Sequence, residues 1–184
     1  MSYLLIFVCA LLLGFVFLTH KKRPSAALVQ NQAVSTCSAI QDCASVCLPK
    51  IQKLYPDFDA EQYARQAEET LVSIFQAISQ QDSSLLVHSH PRLKKQIDNI
   101  IANQHRDGRL TPFDAVLLRQ TALAGCRQEQ SYFNITYQCA LDCRNYTLKD
   151  NEIIKGSATE DQQYIYTIAL DTDNWLFTYF ERSK

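Results

Sequence analysis

Residues 58–82 read FDAEQYARQAEETLVSIFQAISQQD and contain the clearest local signal in the chain. Asp59 is a residue type that caps helix N-termini, and Phe58 with Tyr63 has the spacing of a hydrophobic staple around such a cap. Apolar side chains then recur every three or four positions, as one buried helix face requires. They are Tyr63, Ala67, Leu71, Ile74, Phe75 and Ile78. The sequence therefore predicts a helix that begins after Asp59 and packs on a core.

A second helix and a series of strands are predicted after this one. His90 and Pro91 open the helix and Gly108 ends it, because proline suits the first helical turn and glycine the C-terminal cap. Beyond Gly108 the chain is rich in β-branched and aromatic residues separated by turn residues. The predicted strands are Asp114–Leu123, Ser131–Leu141, Glu152–Lys155, Gln163–Leu170 and Trp175–Phe180, with hairpin turns at 150–151 and 171–174. This order predicts an α+β fold, with helices on one face of an antiparallel sheet.

The N-terminus carries an almost unbroken apolar run, residues 3–19, without a charged residue. Its length is at the short end of a membrane-spanning helix, roughly 17–25 residues. Lys21, Lys22 and Arg23 follow the run, whereas a cleaved signal peptide carries its positive charge before the apolar part. We therefore expect residues 1–23 to be an uncleaved transmembrane anchor. Because basic flanks stay on the cytoplasmic side, the expected location is the bacterial inner membrane with the domain in the cytoplasm, and a periplasmic domain is the alternative.

The remainder is expected to divide into a tether and one domain. Residues 24–47 have little hydrophobic period and are assigned to the tether, and residues 48–184 to the folded domain. The formal net charge of −1 gives no general footprint for a polyanion, so nucleic acid is not an expected partner. The oligomeric state is left open.

Six cysteines lie outside the apolar run: Cys37, Cys43, Cys47, Cys126, Cys139 and Cys143. In an oxidising compartment this even number suggests up to three disulfides, and in a reducing one it suggests metal ligands or free thiols. Cys43 and Cys47 would share a face of a helix, while Cys139 and Cys143 on a strand would stand about 13 Å apart, too far for one metal ion. Disulfides and thiols both stay open, and no metal site is assigned.

From residue 56 onward, several motifs occur in an order that resembles the Tim44-like domain family. They are DFDAEQY at 57–63 with the helix that follows, HPRL at 90–93, KDNEIIKG at 149–156 and DNWLF at 173–177. The family is named for a subunit of the mitochondrial inner-membrane protein translocase and includes bacterial relatives on membrane anchors. The resemblance implies a cystatin-like, nuclear-transport-factor-two-like fold, whose curved sheet holds a pocket beneath its helices. The cysteines lie outside the family pattern.

The resemblance implies a membrane-anchored binding or scaffold protein, acting in protein translocation or membrane-complex assembly. Its expected partners are the bilayer, through the N-terminal helix, and other membrane proteins; no cofactor and no catalytic residue are assigned. Two alternatives stay open. The first is an exported, disulfide-bonded envelope or secretion-system component. The second is a small-ligand-binding protein or enzyme, because pockets of this fold serve both purposes.

Two groups of candidate site residues follow from these expectations. Aromatic residues of the strands are candidates for lining the pocket: Tyr132, Tyr137, Tyr164, Tyr166 and Trp175. Basic residues are candidates for contact with anionic lipid head groups: Lys21, Lys22 and Arg23 after the anchor, and Arg92, Lys94 and Lys95 at the start of the second helix.

Overall fold

The computed structural model describes residues 43–87 and 89–183. The expected anchor, residues 1–23, lies outside the described residues, as do Cys37 and most of the expected tether. Within the two described ranges, no helix combines the length and the apolar character needed to cross a membrane.

The described chain has an α+β architecture in which three α-helices precede an antiparallel sheet of six strands. The helices are α1 (residues 43–54), α2 (Ala60–Gln80) and α3 (Pro91–Asp107), with a 3-10 turn at Ser83–Leu85. The strands are β1 (Arg109–Leu110), β2 (Phe113–Glu129), β3 (Tyr132–Lys149), β4 (Glu152–Gly156), β5 (Gln162–Asp171) and β6 (Leu176–Arg182). The predicted fold class is therefore confirmed for this part of the chain.

The start of α2 is fixed by the cap and staple that the sequence predicts. The Asp59 carboxylate accepts hydrogen bonds from the backbone N–H groups of Glu61, at 2.9 Å, and Gln62, at 3.1 Å. The rings of Phe58 and Tyr63 stack with their centroids 5.3 Å apart. These contacts satisfy free donors of the first turn and set the angle at which the chain enters the helix.

Helix α3 also begins and ends where the sequence predicts. The His90 Nδ1 accepts from the backbone N–H of Arg92 at 3.1 Å, and Pro91 occupies the first helical position. Gly108 closes the helix in the left-handed conformation, with φ of 62°. Glycine suits this position because it has no Cβ to clash there.

Strand β3 is the centre of the sheet. Strands β2 and β5 pair with the same residues of β3, so they flank it on opposite sides, and β6 pairs with the outer edge of β5. The turn between β3 and β4 has Asp150 and Asn151 at φ of 52° and 65°. Two positive φ values are what a two-residue hairpin turn of type I′ requires, so the predicted turn at 150–151 is confirmed.

Strands β2 and β3 are longer than the sequence analysis predicts. The predicted ends, Leu123 for β2 and Leu141 for β3, are wrong. The pairing of β2 continues to Glu129 at the hairpin, and β3 continues to Lys149. Along β3, buried Leu141 and Cys143 still alternate with less buried Asp142 and Arg144. The alternation continues through charged residues, since only one face of the strand enters the core.

The core lies between the sheet and α2. Four buried residues form one row across strands β2, β3, β5 and β6: Leu123, Tyr137, Ile168 and Phe180. From α2, Phe75 stacks on Phe113 of β2 at 4.4 Å between centroids and meets the ring of Tyr166 edge-on at 5.0 Å. The stripe predicted for this helix is thus the surface that covers the sheet.

Helix α1 belongs to the folded domain. Its residues 43–47 fall in the segment assigned to the tether, yet Cys47 and Ile51 are buried in the core. Tyr55, which follows the helix, meets the ring of Phe133 in β3. The expected boundary at residue 48 therefore lies inside α1.

The outer edge of β6 is covered by α3. The Gln96 Nε2 donates to the carbonyl oxygen of Phe180 at 2.7 Å, and the Phe180 N–H donates to Gln96 Oε1 at 3.3 Å. The His90 N–H donates to the carbonyl oxygen of Phe177 at 3.2 Å. These contacts occupy backbone groups that an open edge strand would leave available for another chain.

Candidate binding groove

A groove with a volume of about 550 Å³ lies between α2, the segment that joins α2 to α3, and the start of β6. Its first wall is polar and consists of Gln66, Glu69, Thr70 and Ser73. Its second wall and its floor are largely apolar and consist of Leu85, Leu86, Val87, Ser89, Trp175, Leu176 and Phe177. The groove therefore presents different chemistry on its two sides.

The polar wall is the face of α2 that does not enter the core, since its residues are spaced three and four apart. The Thr70 Oγ1 donates to the carbonyl oxygen of Gln66 at 2.7 Å, and the Ser73 Oγ donates to that of Glu69 at 2.9 Å. With their protons engaged on the helix backbone, both hydroxyl oxygens face outward as acceptors.

The apolar wall is held by a short ordered segment. The Asp82 carboxylate accepts from the backbone N–H of Ser84 at 2.9 Å and so caps the 3-10 turn. The hydrogen bonds from Ser84 hold the pKa of Asp82 below its usual value, and nearby Lys94 acts in the same direction. Beyond this turn Leu86 is buried, with 4% of its surface exposed, whereas the next residue, Val87, is 76% exposed. An apolar side chain thus stands in solvent at the rim of an apolar floor.

The part of the groove that Trp175 lines is backed by an aromatic cluster. Trp175 has a left-handed backbone, with φ of 54°, and its ring lies 5.0 Å from those of Tyr55 and Tyr63 and 6.2 Å from Phe58. A left-handed non-glycine residue costs free energy, which the packing of this cluster offsets. The cluster joins the end of α1, the start of α2 and the turn before β6.

The turn that carries Trp175 is anchored by Thr172, which is buried. The Thr172 Oγ1 accepts from the backbone N–H of Phe133 at 2.8 Å and donates to the hydroxyl of Tyr55 at 3.2 Å. The Asp171 carboxylate accepts from the backbone N–H of Asp173 at 2.8 Å. These hydrogen bonds fix the position of the aromatic cluster.

The described residues that line the groove suit binding and include no pair of groups for acid–base chemistry. Among the described residues that line it, Glu69 is the one ionisable side chain. A general base needs an orienting partner within hydrogen-bond reach, and the lining supplies none. No group of three or more potential metal ligands occurs among the residues that the structure describes.

A smaller cleft, of about 310 Å³, lies at the C-terminal ends of α2 and α3. It is bounded by the ends of α2 and α3 and by the turn between β3 and β4, and it includes Gln81, His105, Arg109 and Asp150. The Gln81 Nε2 donates to the carbonyl oxygen of Arg109 at 3.2 Å, so part of its polar lining is engaged within the chain.

The structure separates the five aromatic candidates. Trp175 lines the groove, and Tyr132 lies half-buried at the start of β3. Tyr137, Tyr164 and Tyr166 are buried in the core. Burial raises the pKa of Tyr137, whose hydroxyl donates to the carbonyl oxygen of Ala60 at 3.4 Å.

The groove residues that the sequence analysis missed are Leu86, Val87, Phe177 and the polar face of α2. The signals were present: the polar residues of α2 repeat with helical spacing, and an apolar Leu-Leu-Val run follows a helix end, where a loop is usually polar. The sequence alone does not show that β6 lies beside that run.

The candidate basic residues of α3 are exposed. Arg92, Lys94 and Lys95 all lie in its first turns. Lys21, Lys22 and Arg23 lie outside the described residues. The structure therefore places one of the two basic groups on the surface of the domain.

The five cysteines within the described residues carry free thiols. Cys139 and Cys143 are buried on the core face of β3, and burial raises the pKa of each to about 11. Cys43 is exposed and Cys47 is buried, both in α1. The pKa of the Cys126 thiol is raised to about 12, mainly by burial and further by a hydrogen bond with Cys47.

Comparison with known proteins assigns the fold to a family. Residues 44–179 match the Tim44-like domain. Among solved structures, the intermembrane space region of the chloroplast protein ARC6 is similar, with 12% sequence identity over 65% of this chain and 95% of that chain, and a TM-score of 0.38. No curated protein matches the chain. Since the family match spans most of the sequence, the chain belongs to the Tim44-like domain family.

Proposed function

We propose that this protein is a membrane-anchored binding or scaffold module that holds a segment of another membrane protein in the groove between α2 and β6. Tim44-like domains are associated with membranes and with protein translocation, which supports this class of function. The apolar run at residues 3–19 supports anchoring in the inner membrane, and the basic residues after it favour a cytoplasmic domain.

The observation that carries the proposal is the contrast between the two sides of the groove. An apolar side chain of the partner would be buried against Leu86 and Phe177, next to the exposed Val87. Backbone N–H groups of the same segment would donate to the outward-facing hydroxyl oxygens of Thr70 and Ser73. An extended polypeptide offers both features at once, since its side chains and its backbone polar groups point in different directions.

The exposed basic residues at the start of α3 give the module a second contact. Arg92, Lys94 and Lys95 would interact with anionic head groups when the tether brings the domain to the bilayer. Such contacts weaken as the salt concentration rises, because dissolved ions screen exposed charges. At physiological ionic strength the Debye length is about 8 Å. They would add to the anchor rather than replace it.

The groove is tested by substituting one exposed apolar residue in it and one outside it. Val87→Asp places a carboxylate on the apolar rim, and Ile154→Asp does the same on β4, away from the groove. Both residues are at least half exposed, with 76% and 50% of their surfaces in solvent, so neither change removes core packing. Membrane complexes solubilised from cells are resolved by native electrophoresis. We expect Val87→Asp to release the protein from its complex and Ile154→Asp to leave the complex intact; equal behaviour of the two variants would contradict the proposal.

The anchor is tested separately by deleting residues 1–23. Release of the domain into the soluble fraction at high salt is the expected result. A domain that stays in the membrane fraction even when Val87→Asp is combined with the deletion, so that binding in the groove is removed as well, would refute the tether arrangement.

A further inference from the structure

Two of the thiols come together at the contact between α1 and the sheet. Cys47, on α1, has 7% of its surface exposed, and the half-buried Cys126 of β2 packs against the same core. The two side chains lie within hydrogen-bond contact of each other. They are 79 positions apart in the sequence and belong to different elements.

The path of α1 along the hairpin explains why these two thiols meet. At the end of the helix, the Tyr55 hydroxyl donates to the carbonyl oxygen of Ser131 in the turn between β2 and β3. Cys47 precedes Tyr55 by about 12 Å of helix, and Cys126 precedes Ser131 by about 16 Å of strand. Two contacts, Tyr55 with Ser131 at the turn and Cys47 with Cys126 further from it, thus place the helix along the strand.

Three other pairings among the described cysteines are excluded by geometry. Cys43 and Cys47 are one helical turn apart, with Cβ atoms about 5–6 Å from each other, whereas a disulfide needs about 3.5–4.5 Å. Cys139 and Cys143 are separated by about 13 Å along β3. The strand register places Cys126 opposite Ile135 and Cys139 opposite Thr121, so these two cysteines are not cross-strand neighbours.

We infer that Cys47 and Cys126 are the disulfide-forming pair of this domain, and that their oxidation clamps α1 onto β2. The oxidant is a small-molecule disulfide of the glutathione type. One protein thiolate attacks its S–S bond and releases one molecule of reduced thiol, and the second protein thiolate then attacks the mixed disulfide and releases the other. Two protein S–H bonds are lost, one S–S bond forms, and the two electrons and two protons leave on the two small thiols.

The clamp acts on the first helix of the domain. Helix α1 is the first described element of the domain, and it overlaps the end of the segment expected to be the tether, residues 24–47. In a reducing compartment both side chains stay thiols and α1 is held by packing alone. In an oxidising compartment the covalent bond fixes α1 to the sheet. The redox potential of the compartment therefore determines how firmly α1 is attached to the rest of the domain.

The pair is tested on the full chain, purified in detergent. The protein is equilibrated in glutathione buffers that range from fully reduced to fully oxidised, free thiols are trapped with N-ethylmaleimide, and tryptic peptides are analysed by mass spectrometry. No Lys or Arg lies between residues 24 and 49, so Cys37, Cys43 and Cys47 share one peptide. Fragmentation of the linked peptide and the variants Cys43→Ser and Cys47→Ser assign the bond.

The expected result is a linked peptide that joins Cys47 to Cys126 in the wild type, at least tenfold more abundant than any other pair. It should persist in Cys43→Ser and disappear in Cys47→Ser. Absence of the link in the most oxidising buffer, or an undiminished link in Cys47→Ser, would overturn the inference. The wild-type assignment does not depend on whether any variant folds.

Discussion

The side chain of Gln96 closes the outer edge of the sheet, and its loss should measurably destabilise the domain. In Gln96→Ala, the carbonyl oxygen and the N–H of Phe180 lose the partners that now lie at 2.7 and 3.3 Å. Phe180 is 6% exposed, so water replaces these partners poorly. At a net 0.5–1.5 kcal/mol for each hydrogen bond, the free energy of unfolding should fall by about 2 kcal/mol. That change lowers the ratio of folded to unfolded protein about thirtyfold.

The assay is urea unfolding of the full chain in non-ionic detergent, followed by the fluorescence of Trp175, the only tryptophan in the sequence. Asp98→Ala is the matched control, because Asp98 is exposed on the same helix and its loss should change stability by less than about 0.5 kcal/mol. Gln96→Glu keeps an acceptor for the Phe180 N–H but turns a carboxylate toward the Phe180 carbonyl oxygen, so it should not rescue stability. A Gln96→Ala protein as stable as Asp98→Ala would refute the reasoning.

Three further predictions concern the backbone, an acid-sensitive cap and the thiols. Gly156→Ala should destabilise the domain by more than about 2 kcal/mol in the same unfolding assay. The φ of Gly156 is 80°, and the new Cβ would lie 2.1 Å from the backbone oxygen of Asn145. Gly125→Ala is the control, because a Cβ at that position meets nothing within 4 Å. The folded-state pKa of Asp82 is lowered from 3.8, so its stabilising effect is present above pH 3.8 and is lost as the pH falls through the lower folded value. The stability difference between wild type and Asp82→Asn should therefore shrink in acid, and a constant difference from pH 6 to pH 2 would contradict this. With Cys139 buried and its pKa at about 11, iodoacetamide at pH 7 should modify the exposed Cys43 first and reach Cys139 only after denaturation, as peptide mass spectrometry would show.

Local signals in the sequence predicted both helix starts because the deciding contacts are local. The Asp59 cap and the staple of Phe58 and Tyr63 involve residues within five positions of each other. The same holds for the turn at Asp150 and Asn151. Interactions of this range depend little on the rest of the fold, so residue type and spacing suffice to predict them.

The features that the sequence analysis missed depend on contacts that are distant in sequence. The packing of α1 depends on contacts such as that of Tyr55 with Ser131 in the hairpin, 76 positions further along the chain. The strand ends were missed because pairing carries β3 through the charged Asp142, where residue preference argues against a strand. The groove itself requires β6 to lie beside the segment that contains Val87, and no local pattern specifies that neighbour.

The most direct test of the central claim is site-specific photocrosslinking in intact membranes. A photoreactive amino acid is placed at Val87, on the rim of the groove, and separately at Glu160, an exposed position beyond the opposite end of β5. We predict that the Val87 derivative links to one membrane protein, through an extended apolar segment that fragmentation of the product identifies, and that the Glu160 derivative does not. Equal labelling from both positions, or no product from Val87 in membranes that retain the protein, would contradict the assignment of this groove as the binding site.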